Sequence, residues 1–242
     1  MSIVTIRGMR RKKIKPLTKF IIIVFAVIGA LTVYFSVVGE GNFDAEKTVP
    51  TGSPISYIAG DCDIFTVIAV ITGNETKSNI MLFMEVCGGF NIDAVFFMST
   101  EYMDKSGDIV EKIYSEGHTV GLLCNATSKL TRSGFMKFLA NRNDEFYAQT
   151  GRYPKYCYIT GTPCQYASEV INAYGQYYVS HSAEITENRD QVIKNGYIVA
   201  VDLTGNDGVY AFVRAVSQAL DSKLKAVSMK EFMKEYESIH ES

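Results

Sequence analysis

FNIDAVFFMSTEYMDKSGDIVEKIYSEGHTVGLLCNATSKLT, residues 90 to 131, is the stretch on which the fold of this chain turns. An apolar run at 92–98 predicts a strand. A segment follows in which Ile109, Val110 and Ile113 share one side, as on an amphipathic helix. Gly117 and His118 then lead into a second apolar run, 119–124, which ends in the polar residues Asn125, Ala126, Thr127 and Ser128. Strand, helix, strand, polar loop is the pattern of a parallel βαβ unit delivering a site loop at a strand's carboxyl end. Yet this loop has no histidine, no carboxylate and no lysine before Lys129.

The same beat extends in both directions. Runs at 64–71, 155–159, 177–182, 197–203 and 225–228 read as further strands, and Phe135, Phe138, Leu139 and Phe146 repeat at helical spacing between two of them. Alternation of this kind predicts an α/β fold with a parallel sheet, and seven such units are enough to curl it into a barrel. No repeat or low-complexity tract interrupts it. With 242 residues, 47% hydrophobic and 21% charged, the chain has the material for one substantial domain and an appendage. A net charge of −2 gives no global pull toward nucleic acid.

The appendage is N-terminal. Arg7, Arg10, Arg11, Lys12, Lys13, Lys15 and Lys19 precede the uncharged run FIIIVFAVIGALTVYFSVV, Phe20 to Val38. Its length suits the roughly 20 helical residues that cross a hydrocarbon core. It exceeds the h-region of a signal peptide, about 7 to 15 residues, and no A-x-A-like site follows it. The run is therefore read as an uncleaved single-pass transmembrane helix in the cell membrane. The basic flank, 1–19, stays cytoplasmic by the positive-inside rule, and everything after the anchor at 20–38 is extracytoplasmic. Residues 39–60 read as a Gly-, Ser- and Thr-rich tether, and 61–237 as the outer domain. Five cysteines, Cys62, Cys87, Cys124, Cys157 and Cys164, are an odd number for an exported domain, so at least one is free or intermolecular.

The stretch quoted first, with its Gly-His before the second strand, resembles the polysaccharide deacetylases with the NodB-type domain, carbohydrate esterase family 4. The likeness spans about residues 64 to 234. It implies a distorted seven-stranded (β/α) barrel and an active site that holds zinc or another divalent metal. Members open with Thr-Phe-Asp-Asp-Gly, in which one Asp is the general base and the next a metal ligand; Thr72 and Gly73 stand in those places here. The two ligands of the family's His-x-x-x-His correspond to Leu123 and Thr127. The arginine of the third motif corresponds to Tyr158, and the acid histidine of the last to Asp202. The resemblance thus implies a vestigial site from which the family metal has been lost. Only three histidines exist to replace it, and of His118, His181 and His240 only His181 falls at a strand end.

Other site chemistries were open in the residues. Cys124, Cys157, Cys164 and His181 are good zinc donors but contain no Cys-x-x-Cys pair. Glu75 and Asp207 suit a pair of hydrolytic carboxylates. A Ser-His-Asp set from Ser180 or Ser182, His181 and Asp202 fails because strand neighbours point to opposite faces. What remains is a polar rim, Asn74, Glu75, Asn125, Thr160, His181 and Asp207, with groups able to hold sugar hydroxyls. The expected protein is a membrane-anchored, catalytically inactive deacetylase-like domain that binds peptidoglycan, another envelope polysaccharide or an envelope protein. The alternative is a carbohydrate deacetylase with a rearranged site. In permeabilised cells, external protease is expected to remove the part after residue 40 and spare the basic head; protection of the whole chain would refute the anchor.

Overall fold

The computed structural model describes residues 52–60, 62–125, 128–186 and 191–240. The expected anchor at Phe20–Val38 and its basic flank lie outside them. Among the described residues no helix is long and apolar enough to cross a membrane.

Among the described residues there are eight strands and seven helices. In chain order they are β1 (Ile64–Ile71), α1 (Lys77–Phe90), β2 (Val95–Met98), α2 (Thr100–Lys105), α3 (Gly107–Ser115), β3 (Thr119–Asn125) and α4 (Arg132–Thr150). There follow β4 (Tyr156–Thr160), α5 (Ala167–Ala173), β5 (Tyr177–Val179), β6 (Ala183–Ile185), β7 (Ile198–Val201), α6 (Asn206–Asp221), β8 (Lys225–Ala226) and α7 (Met229–His240). The sheet runs β5-β4-β3-β2-β1-β7-β6, all pairs parallel, with β8 joining the first residues of β1. The expected seven-stranded α/β barrel is present as a parallel half-barrel.

One expected strand, 177–182, ends at Val179, and a second short one, Ala183–Ile185, follows on the opposite edge of the sheet. That placement fixes the curvature. The four peptide steps from Val179 to Ala183 reach at most about 14 Å, whereas the edges of a flat seven-strand sheet would stand about 29 Å apart. The sheet must curl until its edges nearly meet. Residues 177–185 then act as a single bent ribbon: its first part pairs with β4, its second with β7, and Ser180, His181 and Ser182 span the change of partner.

A gap remains below the bend, and residues 55–58 fill it. Ile55 N–H donates to Tyr178 O at 2.8 Å and Ser180 N–H to Ile55 O at 2.9 Å. On the other side Ile58 N–H donates to Gly196 O at 2.8 Å and Ile198 N–H to Ser56 O at 3.2 Å. Ile55 and Ile58 are buried in the lumen. These residues, expected in the tether at 39–60, thus belong to the barrel; their polar neighbours Ser53, Pro54 and Ser56 hid a two-residue apolar plug.

The barrel has two cores. Inside lie Ile68, Val95, Phe97, Leu123, Tyr156, Tyr158, Val179, Ile198 and Ala200, closed from the amino-terminal end by Met229, Phe232 and Met233 of α7. Outside, between sheet and helices, lie the alternate residues, with Phe83 set edge-on to Phe96 and Phe212 at 5.6 and 5.2 Å. Each fully buried aromatic contributes about 1.5–3 kcal/mol of transfer free energy. The lumen is tight at Gly121: a Cβ there would lie 2.5 Å from the Phe97 ring.

His118 follows the turn at Gly117 and is buried against Phe96, its Nδ1 accepting from Ala94 N–H at 3.4 Å. Burial holds its pKa below the ordinary value, against the opposing pull of Asp93, Glu116 and the Met84 carbonyl. The neutral form is thus favoured in the fold, while the unfolded chain takes up a proton near pH 6.5. Stability should be level above about pH 6.5 and fall as the pH drops from there toward the folded pKa. Urea unfolding between pH 7.5 and 5 is expected to show this decline, and His118→Gln to flatten it; an unchanged slope would refute the assignment.

Candidate functional site

The site is the mouth at the carboxyl ends of the strands. Its loops are short because most of them enter helices at once, and three of their polar residues serve as caps. Thr76 accepts from Asn79 N–H, Ser99 from Tyr102 N–H and Thr131 from Gly134 N–H, so part of the rim's polarity is helix-start chemistry.

Thr72 and Gly73, in the places of the family's base and ligand, are engaged locally. The Thr72 hydroxyl donates to Glu75 Oε1 at 2.9 Å, and Gly73 N–H donates to Glu75 Oε2 at 2.8 Å. Glu75, expected to face a ligand, is therefore folded inward at 9% exposure and fastens its own loop. Asn74 lies beside it, its amide donating to the Thr72 hydroxyl at 3.3 Å. Leu123 is a lumen residue at 4% exposure, beside Tyr158 on the next strand. Thr127 lies outside the described residues. Thr160 donates to the Asn125 side-chain oxygen across β3 and β4.

Tyr158 and His181 form the centre of the mouth. The phenol oxygen lies 2.8 Å from His181 Nδ1, and the two rings are parallel within 3°. Burial raises the Tyr158 pKa, as does Glu184, while a hydrogen bond from Ser180 lowers it. Burial likewise keeps His181 neutral against the pull of Glu184.

Sheet register adds a residue that sequence reading missed. Ala200 is in the lumen core, whereas Val199 and Val201 are in the outer one. Glu184 pairs with Ala200, on the same side of the sheet, and is exposed there on the edge strand β6. No periodicity could show this, because β6 has only three residues. Asp202 lies two residues beyond Ala200, with its Oδ1 accepting from Thr204 N–H at 2.9 Å and the Thr204 hydroxyl at 2.7 Å. Its carbonyl is covered by Gly208, where a Cβ would come within 2.0 Å. Asp207, in the first turn of α6, is exposed.

A divalent metal needs anionic or imidazole donors converging on one point. At the positions that would supply them stand a hydroxyl already committed to Glu75, a glycine and a leucine, and they do not fit. Nowhere among the described residues do three His, Cys, Asp or Glu side chains converge for a metal. The alternative quartet is split. Cys124 and Cys157, with sulfurs 3.8 Å apart, and Cys164 belong to the outer core, while His181 bonds to Tyr158 of the inner one. Nor do Glu75 and Asp207 form a pair, since one is turned inward and the other is exposed.

Solved structures share this architecture. A pseudoenzyme of carbohydrate esterase family 4 from Bacillus anthracis superposes with a TM-score of 0.65 at 13% identity, over 77% of this chain and 70% of its own. The fold is that of the family 4 carbohydrate esterases. A family 4 carbohydrate esterase from Bacillus anthracis gives 0.63 at 16% identity over 74% of this chain and 86% of its own. A peptidoglycan N-acetylglucosamine deacetylase gives 0.63 at 14% over 74% and 91%. No protein-family model matches the chain by sequence, nor does any curated protein. On this esterase fold the mouth is where the strand ends gather.

Replacing Glu75 with Ala removes the acceptor for Gly73 N–H and the Thr72 hydroxyl. A loss of about 1–3 kcal/mol in unfolding free energy is expected. A variant as stable as the parent would show that Glu75 is not the fastening of this loop.

Proposed function

We propose that this protein is a non-hydrolytic member of the esterase fold, anchored in the bacterial cell membrane, which binds envelope glycan through the barrel mouth. One observation carries the reading: Thr72, Gly73 and Leu123 stand where a metal-dependent deacetylase needs its base and ligands, and each is absorbed into packing or loop structure. Without a metal-activated water the mouth has no nucleophile for an acyl carbon. It keeps a polar rim with an imidazole bonded to Tyr158, which suits recognition. The neighbours of the same fold include proteins described as a pseudoenzyme and as a peptidoglycan N-acetylglucosamine deacetylase, and the second supports a polysaccharide as the partner.

The test uses the full chain purified in detergent. Zinc, cobalt and manganese are each expected to bind at far less than one equivalent. No acetate should be released from N-acetylated chitooligosaccharides or peptidoglycan, with or without added metal. Metal-dependent acetate release would overturn the reading in favour of a deacetylase with a rearranged site.

A further inference from the structure

Helix α1 is apolar on nearly every side. Lys77 and Glu85 are the only charged residues among its 14, and Met81, Leu82 and Val86 stay half-exposed on the face turned away from the barrel. By contrast, α3 carries Asp108, Glu111 and Lys112, and α7 carries Lys230, Glu231, Lys234 and Glu235. A helix of α1's character is one that is covered on both faces. Along its open face runs a groove of about 670 Å³, with Met81, Leu82 and Glu85 on one wall and Lys112 and Glu116 on the other. The charges at its rim are loosely held. Lys77 is bonded to Asp108, but both side chains are more than half exposed, where an ion pair is worth little. Glu85 has no cation partner among the described residues.

Lys77, Met81 and Glu85 are spaced by four and so form one ridge along α1, positive at its start, apolar at its centre and negative at its end. The two charges stand about 6 Å along the axis on either side of Met81. Such a ridge is complementary to itself turned end for end. We propose that α1 and its groove are a homodimer interface, in which the α1 helices of two copies cross antiparallel about a two-fold axis at Met81. Met81 then meets its own copy, and Lys77 of each chain faces Glu85 of the other. The apolar middle of each helix covers that of the other. A two-fold contact repeats every pairing twice, so one ridge satisfies four charges. A parallel arrangement would set like charge against like. The contact is confined to one helix and one groove, which places it in the small, transient class of interfaces. It uses no residue of the barrel mouth and stands apart from the glycan-binding reading.

The experiment follows the full chain in detergent at pH 7 and low salt by sedimentation equilibrium, and in cell membranes by cross-linking with a short bismaleimide. The native cysteines are buried. Met81→Cys is therefore expected to cross-link to itself, and Ser217→Cys, exposed on α6, to remain a single chain. Lys77→Glu and Glu85→Lys should each weaken self-association by roughly tenfold, because each turns two attractions into repulsions. Both substitutions in one chain restore the pairing and should recover the parent's affinity. Mixing the two single variants should give a mixed dimer. Thermal unfolding verifies that each variant keeps the fold. A parent that stays monomeric throughout overturns the interface. So does self-association that the single variants leave unchanged, or that cross-links equally at position 217, since either puts the contact on another surface. Failure of the double variant to recover overturns the antiparallel register. A Met81→Cys product in membranes at a mass other than twice the chain overturns the choice of partner.

Discussion

The barrel depends on one ribbon that has to serve two edges. Residues 177–185 pair with β4 at the start and β7 at the end, so the closure of the sheet and the position of His181 are set by the same bend. A strand committed wholly to β4 would leave β7 with an open edge and its hydrogen-bonding groups exposed. The change of partner solves that problem within three residues. It also interrupts the strand at that point, between Val179 and Ala183.

Inside the barrel, bulk has taken the place of chemistry. Leu123 and Tyr158 sit side by side, Phe97 lies over Gly121, and Tyr158 spends its hydroxyl on His181. A metal centre would require polar side chains to converge in this space. Here the lumen stays apolar almost to the strand ends and turns polar only at the rim. Several rim groups are committed to caps and loop bonds.

The architecture was legible because it rests on patterns longer than any one contact. Alternating strands and helices gave the parallel sheet, and Gly117-His118 with its flanking runs gave the esterase likeness. The site was legible mainly as a set of substitutions: Thr72, Gly73 and Leu123 are read directly from the chain. What escaped is governed by pairing register and side-chain direction. Glu184 is one letter in a three-residue strand. Glu75 reads as an exposed loop acid until two donors from its own loop turn it inward. Ile55 and Ile58 read as tether because a plug of alternate apolar residues is too short to stand out from its polar neighbours.

That plug has a mechanical consequence. Residues 55–58 are bonded to β5 on one side and to the start of β7 on the other, so any tension carried along the chain from residues before 52 enters the barrel at its seam. The Ile55 contact with β5 is parallel and the Tyr57 contact at Tyr197 antiparallel, each held by two backbone bonds. Force would therefore bear first on the point where the two edges of the sheet meet, directly beneath the bend that holds His181. A pull on the segment and occupancy of the mouth act on the same few residues from opposite ends.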